Sequence, residues 1–161
     1  MRYLKDKEKE DASVLFEECR KIATYALCKK DKCGAIIEKN GEVIGSGYNG
    51  PPLDEPENCK CAHVYKLTEK PKSDQTCCPH AEWRAIMDAL KKNPGKMNGS
   101  RIYFSRVSDS GDILPSGKPY CTVCSRLVLD SGIKEFILQN EEGIVAYDTK
   151  EYNDISYAFF E

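Results

Sequence analysis

The sequence predicts a three-layer α/β domain in which helices cover both faces of one sheet. Segments with helical periodicity alternate along the chain with short strand-like segments, and this alternation favours a sheet placed between layers of helices. A chain of 161 residues is long enough for one hydrophobic core and too short for two. We therefore expect residues 1–161 to form a single domain, with a cysteine-rich loop insertion at about 50–78.

The first half of the chain predicts one helix and then a β-hairpin. Apolar residues recur at helical spacing over residues 12–27, after an acidic start suited to a helix N-terminus. The turn pair Asn40-Gly41 joins strand-like residues 34–38 and 42–48, as in a hairpin. Residues 49–76 are rich in proline, so we predict a long irregular loop, which needs an anchor inside a compact domain.

The second half of the chain predicts three helices and three strands. A helix beginning at Pro79 has the proline in a favoured first position, and a helix that ends at Gly132 can use the glycine as its cap. The predicted helices cover residues 79–92, 121–130 and 151–160, and the predicted strands cover residues 101–105, 135–139 and 143–147.

Charge and hydropathy exclude several classes of partner. The net charge is −2, which argues against a broad basic surface for duplex nucleic acid but leaves room for a small anionic ligand held by a few local cations. The N-terminal residues alternate in charge, and no segment approaches a membrane-spanning run. We therefore expect a cytoplasmic protein that binds neither membranes nor duplex nucleic acid.

Nine cysteines are the unusual feature of the composition. An odd number of cysteines in a chain without an export signal fits metal ligation better than a disulfide framework. Cys121 and Cys124 stand three positions apart at the start of a predicted helix, so both sulfurs lie on one side of its first turn. A helix N-terminus also favours thiolate over thiol. These two cysteines are therefore the first candidates for metal ligands.

His80 completes a catalytic zinc site with this cysteine pair. Three protein ligands leave the fourth tetrahedral position to water, whose pKa zinc lowers to about 7. Glu82 stands two positions after His80, which points its side chain in a different direction and suits a proton carrier better than a fourth ligand. The alternatives are a zinc ribbon, which normally has two close ligand pairs, and reduced cysteines packed in the core.

The pattern His-x-Glu followed by Pro-Cys-x-x-Cys is typical of zinc nucleobase deaminases. From about residue 28 to residue 138 the chain resembles the cytidine and deoxycytidylate deaminase superfamily, and within it the deoxycytidylate deaminases. The segments that carry the resemblance are CKKDKCGAII (28–37), EKNGEVIGSGYNGPP (38–52), HAE with RAI (80–82 and 84–86) and CTVC with SGI (121–124 and 131–133). The Gly-Tyr-Asn-Gly run is fairly specific to the deoxycytidylate branch.

The resemblance implies both a fold and a reaction. The fold is a mixed five-stranded sheet with helices on both faces, and the reaction is zinc-dependent hydrolytic deamination of a cytosine nucleotide, most simply dCMP to dUMP and ammonia. Asn49 and Ala81 would contact the substrate, although Asn49 and Gly50 alternatively form only a turn after a strand. The resemblance also implies a homo-oligomer, with dCTP and dTTP as effectors.

Two residues depart from the pattern of this branch. Arg84 stands where the branch usually has asparagine, and Tyr120 stands where it has proline, with Pro119 displaced by one. Arg84 could contact a substrate phosphate through its planar donor fork, or be solvated like most helical arginines. Tyr120 could stack on the substrate ring or cap the core. Both residues are therefore candidate substrate contacts.

Further cysteines border or lie in the loop insertion. Some deoxycytidylate deaminases hold a second, structural zinc with cysteines at similar places, and the resemblance implies such a site here. Its candidate ligands are Cys28, Cys59, Cys61 and one of Cys77 or Cys78, with His63 as a substitute. A closed four-ligand site would fix the loop. The alternative is that these cysteines are reduced and packed as small apolar residues.

Two other functions remain open from sequence. A zinc deaminase could act instead on a free base, a nucleoside or a purine. A catalytically silent zinc-bearing nucleic-acid module would show a basic stripe with interleaved aromatic residues, which the nearly balanced charge does not favour.

Overall fold

The computed structural model describes residues 1–59 and 78–159. Its strands are β1 (Arg2–Tyr3), β2 (Lys32–Lys39), β3 (Glu42–Tyr48), β4 (Arg101–Val107), β5 (Ile113–Leu114), β6 (Glu135–Asn140) and β7 (Gly143–Asp148). Its α-helices are α1 (Asp6–Ala23), α2 (Ala81–Lys92), α3 (Thr122–Asp130) and α4 (Thr149–Ala158). Short 3-10 turns lie at Pro52–Asp54, Pro56–Asn58 and Pro94–Lys96. None of the helices in these two ranges has the length and apolarity needed to cross a bilayer.

All the strands join one mixed sheet. The strand order is β1-β7-β6-β4-β2-β3, and β5 pairs with β4 outside this path. The β4–β6 pairing is parallel and the others are antiparallel. A parallel pair needs a crossover connection, and α3 lies within the segment that joins β4 to β6. The mixed sheet that the sequence predicts is confirmed.

Helices cover the sheet on both faces, as predicted. Helix α1 packs one face through Phe16 and Cys19, which share a buried cluster with Ile36 and Tyr103 of the sheet. The opposite face carries α2, α3 and α4 over a second buried cluster centred on Phe136. Because α2 and α3 lie on the same face, their N-termini can meet at one edge of the sheet.

The predicted elements are present, with different ends and two additional strands. Within the described residues the sheet has seven strands rather than five, because the two-residue strands β1 and β5 join it. Two residues are too few to show an alternating pattern. Helix α1 starts at Asp6 and ends at Ala23 rather than spanning residues 12–27, since the charged residues before Ala12 are good helix formers without apolar periodicity.

The β2–β3 hairpin is confirmed, and its turn has the left-handed conformation that the residues favour. Asn40 has φ 53° and Gly41 has φ 82°, which a two-residue hairpin turn of this kind requires. The loop predicted to follow the hairpin falls only partly within the described residues. Up to Cys59 it contains two 3-10 turns, and residues 60–77 lie outside the described ranges.

Two glycines of β3 allow α2 to lie very close to the sheet. A Cβ atom on Gly45 would fall 2.5 Å from the Cβ of Ala89, and one on Gly47 would fall 2.4 Å from the backbone nitrogen of Ala85. Both distances are far shorter than van der Waals contact. Because these two glycines have no side chains, α2 can pack this close to the sheet, and its distance from β3 is fixed by them.

Candidate metal centre

The first potential ligand is held at the start of α2. His80 is the N-cap residue, with extended backbone angles of φ −71° and ψ 154°, as is usual for a cap. The next residue, Ala81, is fully buried, and its carbonyl group lies beside Gly47 of β3. The close packing of α2 on β3 therefore fixes the position of the His80 backbone.

The other two potential ligands are held at the start of α3. Cys121 is the N-cap, and its sulfur accepts a hydrogen bond of 3.4 Å from the backbone N–H of Cys124. Cys124 is fully buried on the first turn. The three-residue spacing places both sulfurs on one side of the helix start, as the sequence predicts.

The three side chains meet where the two helix starts face each other. Nδ1 of His80 lies 3.0 Å from Sγ of Cys124 and 3.6 Å from Sγ of Cys121. Their ligand atoms all lie within 4.8 Å of one another, and no other group of three potential ligands occurs in residues 1–59 and 78–159. One imidazole nitrogen with two sulfurs is a donor set that suits tetrahedral zinc, with one position left open.

The sulfur pair is prepared for metal binding by its hydrogen bonding. Hydrogen bonds from Cys124 and His80 together lower the pKa of Cys121 to about 4 despite its burial. The same hydrogen bond, together with burial, raises the pKa of Cys124. The thiolate form is therefore favoured at Cys121, and a metal ion that binds both sulfurs as thiolates must displace the proton of Cys124.

Glu82 lies in the first turn of α2 beside this ligand group. Its residue surface is only 6% exposed, and this burial raises the pKa of its carboxyl group. His80 opposes the rise, and the negative charge of Cys121 adds to it. A buried carboxyl group whose pKa is raised toward neutrality can both accept and donate a proton, which is the property of a general acid and base.

Asn49 is buried at the end of β3 and connects three parts of the backbone. Its Oδ1 accepts from the backbone N–H of Cys33 at 2.8 Å, and its Nδ2 donates to the carbonyl of Asp31 at 2.8 Å. Its own carbonyl accepts from Leu27. An asparagine amide has two hydrogens and two oxygen lone pairs. The two side-chain bonds use one of each, so the predicted substrate contact remains available.

Arg84 is partly buried, and its guanidinium group is directed at the protein. It donates to the Asp54 carboxylate at 2.6 Å and to the Pro51 carbonyl at 2.7 Å. These acceptors belong to the first residues of the loop that follows β3. No observation tests the phosphate contact predicted from sequence, and it stays a prediction.

Tyr120 precedes the cysteine pair and is half exposed. Its ring lies 5.8 Å from that of Phe159. Burial of the hydroxyl group and the negative charge of Glu82 raise the pKa of Tyr120. No observation decides between stacking on the substrate ring and capping the core, so both roles of Tyr120 stay predictions.

Half of the candidate ligands of the predicted second zinc site lie outside the described ranges. Cys61, Cys77 and His63 lie there. Cys28, Cys59 and Cys78 are described, and they do not form a group of three ligands. The second zinc therefore stays a prediction.

Three residues near the site were not predicted from sequence. Burial raises the pKa of the Cys33 thiol, and the negative charge of Glu82 adds to this rise. Asp54 and Tyr48 form a polar cluster with Arg84. Their association depends on the path of the loop after β3, for which local sequence carries no signal beyond its prolines.

Comparison with known proteins supports the same site. Residues 9–140 match the family described as "Cytidine and deoxycytidylate deaminase zinc-binding region". The chain belongs to this family. Zinc as the cofactor, predicted from the cysteines, is confirmed by the family match together with the His80, Cys121 and Cys124 group.

Individual members of the family show similarity along most of the chain. A deoxycytidylate deaminase of Schizosaccharomyces pombe is 29% identical over 129 residues, which are 78% of this chain and 35% of the relative. A deoxycytidylate deaminase of Enterobacteria phage T4 is 24% identical over 158 residues, covering 78% of this chain and 76% of the relative. The chain thus spans about a third of the yeast relative's length.

A solved structure confirms the fold of this family member. The dCMP deaminase of cyanophage S-TIM5, in complex with dCMP and dUMP, aligns with a TM-score of 0.56 at 21% identity. The alignment covers 81% of this chain and 82% of that one. The cytidine deaminase-like architecture predicted from the resemblance is therefore correct.

Proposed function

We propose that this chain is a zinc-dependent hydrolytic deaminase that converts dCMP to dUMP and ammonia. The observation that carries the proposal is the position of Glu82, a buried carboxyl group beside the His80, Cys121 and Cys124 group. A structural zinc site needs no such neighbour, whereas a deaminase needs a group that moves protons next to an open coordination position. Relatives named as deoxycytidylate deaminases and the dCMP complex of the S-TIM5 enzyme support the choice of substrate.

His80, Cys121 and Cys124 would hold the ion in this reaction. When bound, zinc supplies an activated water molecule by lowering its pKa to about 7. The thiolate of Cys121 is already favoured by its hydrogen bonds, and a thiolate is the form in which cysteine binds a metal ion. The helix starts that carry the ligands fix their relative positions before the substrate arrives.

Glu82 performs the proton transfers. Its carboxylate would accept a proton from the attacking water and deliver it to the pyrimidine ring nitrogen next to the amino-bearing carbon, while the oxygen of that water forms a bond to this carbon and becomes its hydroxyl group. It then takes the remaining proton of the hydroxyl group and gives it to the departing amine, so that the carbon–nitrogen bond breaks and a carbonyl remains. Burial keeps bulk water from competing for these protons.

Asn49 would orient the substrate through the amide hydrogen and the oxygen lone pair that its side chain does not use in binding the backbone. It is buried and lies at the end of β3, close to the residues that surround Glu82. A rigid amide at this position can recognise a hydroxyl group or a ring edge without an ordering cost. Ala81 would offer its backbone beside it.

A substrate panel tests the function. We expect the zinc-loaded protein to release ammonia from dCMP with a higher kcat/KM than from CMP, deoxycytidine, cytidine, cytosine or adenine nucleotides. Equal or faster turnover of unphosphorylated cytidine would reject the nucleotide assignment. Release of no ammonia from any member of the panel by protein shown to contain zinc would reject deamination itself.

We also propose that the protein is a cytoplasmic homo-oligomer regulated by dCTP and dTTP. The proposal rests on the family to which the chain belongs. Light scattering gives the oligomeric state directly. The rate should be measured as a function of dCMP concentration, and we expect dCTP and dTTP to change this curve in opposite directions. A rate that responds to neither nucleotide would reject the regulation.

A further inference from the structure

Asp54 is held by two residues that enclose its carboxylate. Nη1 of Arg84 donates to Oδ1 at 2.6 Å, and the Tyr48 hydroxyl donates to Oδ2 at 2.7 Å. Burial alone would raise the pKa of Asp54, but these two hydrogen bonds outweigh it and lower the pKa below its ordinary value. The carboxylate is therefore charged at neutral pH, and each of its oxygens accepts a hydrogen bond.

The rest of the Arg84 guanidinium group binds the same segment of chain. Nη2 donates to the carbonyl oxygen of Pro51 at 2.7 Å and to that of Gly50 at 3.3 Å. The guanidinium carbon also lies 5.2 Å from the centroid of the Tyr48 ring, within cation–π distance. The Arg84 side chain is only 17% exposed, so most of its donors serve residues 50–54 and not solvent.

The backbone of this segment is strained, and the Arg84 contacts act at the strained point. Leu53 and Asp54 both have φ 60°, a left-handed conformation that is unfavourable for residues other than glycine. Such a conformation persists only where surrounding contacts enforce it. Asp54 makes three such contacts. Its carboxylate binds Arg84 and Tyr48, and its backbone N–H donates to the Pro51 carbonyl at 2.9 Å.

Gly50 leaves the space that the Asp54 carboxylate occupies. A Cβ atom on Gly50 would fall 2.9 Å from Oδ1 of Asp54 and 3.3 Å from the Cβ of Leu27. Any side chain at residue 50 would therefore push against the oxygen that Arg84 binds. The close approach of Asp54 therefore explains why the last residue of the Gly-Tyr-Asn-Gly run is glycine, whether or not the run forms a turn.

We propose that Arg84 and Asp54 form a positioning latch, which ties residues 50–54 to helix α2 and thereby holds Asn49 in its substrate-binding position. Arg84 stands two residues after Glu82 on α2, and Asn49 directly precedes the segment that Arg84 binds. The latch thus joins the element that carries the proton-transfer group to the element that carries the substrate contact. The proposal rests on the proposed function for the role of Asn49.

Steady-state kinetics of Arg84→Ala, Asp54→Ala and the double variant test the latch. We expect each single variant to raise the KM for dCMP by about tenfold, as loss of substrate positioning does, with a much smaller change in kcat. The double variant should be little worse than either single one, because both remove the same interaction. Zinc content should stay at the wild-type value. Lys92→Ala, which removes an exposed ion pair with Asp88 on the same helix, is the matched control and should change nothing.

The kinetics also separate the latch from a phosphate contact. If Arg84→Ala impairs only phosphorylated substrates while Asp54→Ala impairs none, Arg84 binds the phosphate and the latch is wrong. Full additivity of the two substitutions would overturn it as well. Tyr48→Phe, which removes one hydrogen bond and keeps the ring, should give a smaller rise in KM than either.

A second measurement decides the latch without relying on turnover. The side-chain amide resonances of Asn49 in a 15N-labelled sample should shift in the same direction in Arg84→Ala and Asp54→Ala and stay in place in Lys92→Ala. Unchanged Asn49 resonances in folded variants would reject the latch even if the wild type is an active deaminase. Shifted resonances with an inactive wild type would leave the latch standing and reject the proposed function.

Discussion

Nδ1 of His80 lies 3.0 Å from Sγ of Cys124, although 44 positions separate the two residues in the chain. The contact arises because each residue is placed by the start of a helix and both helices lie on the same face of the sheet. Each helix start has a fixed geometry of its own, so the ligand group is formed by packing and not by a flexible loop. The metal centre is therefore coupled to the stability of the fold.

This coupling predicts the effect of removing one ligand. In Cys124→Ala we expect loss of zinc and a lower melting temperature, with little further decrease on adding a chelator, whereas the wild type should be destabilised by the chelator. The physical reason is that a ligand that binds only the folded state stabilises it by mass action. Metal analysis and thermal unfolding with and without chelator measure both effects.

Cys19→Ala is the matched control for this experiment. Cys19 is as fully buried as Cys124, and its thiol donates to the Gly34 carbonyl at 3.1 Å, on the opposite face of the sheet. We expect this variant to lose stability through its cavity and its lost hydrogen bond while keeping zinc and chelator sensitivity. If both alanine variants keep zinc, Cys124 is not a ligand.

Glu82→Gln separates proton transfer from metal binding. The substitution keeps the size of the side chain and removes its ability to accept a proton. We expect ammonia release from dCMP to fall by about 10²–10⁴-fold, the range for loss of a general acid and base. Zinc content should be unchanged, because Glu82 lies outside the group of three candidate ligands. A variant that retains the wild-type rate would remove Glu82 from the mechanism.

The meeting of the three candidate ligands was partly predictable, because the spacing of the cysteine pair reflects local helix geometry. Cys121 and Cys124 lie on one side of a first turn wherever such a turn forms, and His80 was one of only two histidines. The hairpin was predictable for the same reason, since Asn40 and Gly41 favour the left-handed turn locally. Local geometry thus determined most of the site.

Features that depend on tertiary contacts were not predictable. Strands β1 and β5 are too short for any pattern, and each forms only because a longer strand offers an edge. The partner of Arg84 is 30 positions earlier in the chain, and it is reached only because Leu53 and Asp54 take an unfavourable conformation. Sequence patterns predict favourable local states, so a locally unfavourable one gives no signal.

The close packing of α2 on β3 predicts that Gly47→Ala is destabilising. The new Cβ would lie 2.4 Å from the Ala85 nitrogen and 2.6 Å from the Ala81 carbonyl oxygen, so the helix must move away from the sheet. We expect a loss of about 2 kcal/mol or more in the free energy of unfolding. Since Ala81 adjoins His80, zinc affinity should fall as well. Chemical denaturation and metal titration measure the two effects.

Gly95→Ala is the control for this substitution. Gly95 lies in the turn that follows α2, and a Cβ atom there would meet nothing within 4 Å. We expect a neutral to slightly stabilising effect of about 0.5 kcal/mol through the unfolded chain. Equal stability of the two variants would show that the close approach of Gly47 to α2 is unimportant.

Glu8 of α1 binds arginines of β1 and β4 through a charge that titrates in acid. Its carboxylate accepts from Arg2 at 2.6 and 2.9 Å and lies 3.0 Å from Arg101 of β4. The hydrogen bond from Arg2 is the main cause that lowers the pKa of Glu8 below its ordinary value of 4.5. A lowered pKa in the folded state means that the stabilisation is present above pH 4.5 and is lost as the pH falls through the lowered value.

Glu8→Gln should therefore destabilise the protein at neutral pH and have a smaller effect in acid. The Glu8 side chain is 35% exposed, so solvent screening limits the expected loss to about 0.5–1 kcal/mol at pH 7. Denaturation of both proteins over a descending pH series should show their stabilities converging, because protonated glutamic acid and glutamine are both neutral. Asp11→Asn on the same helix is the control, since the Lys7–Asp11 pair is 3.9 Å long and highly exposed. A stability difference between Glu8→Gln and the wild type that stays constant down the series would show that the Glu8 charge does not anchor β1.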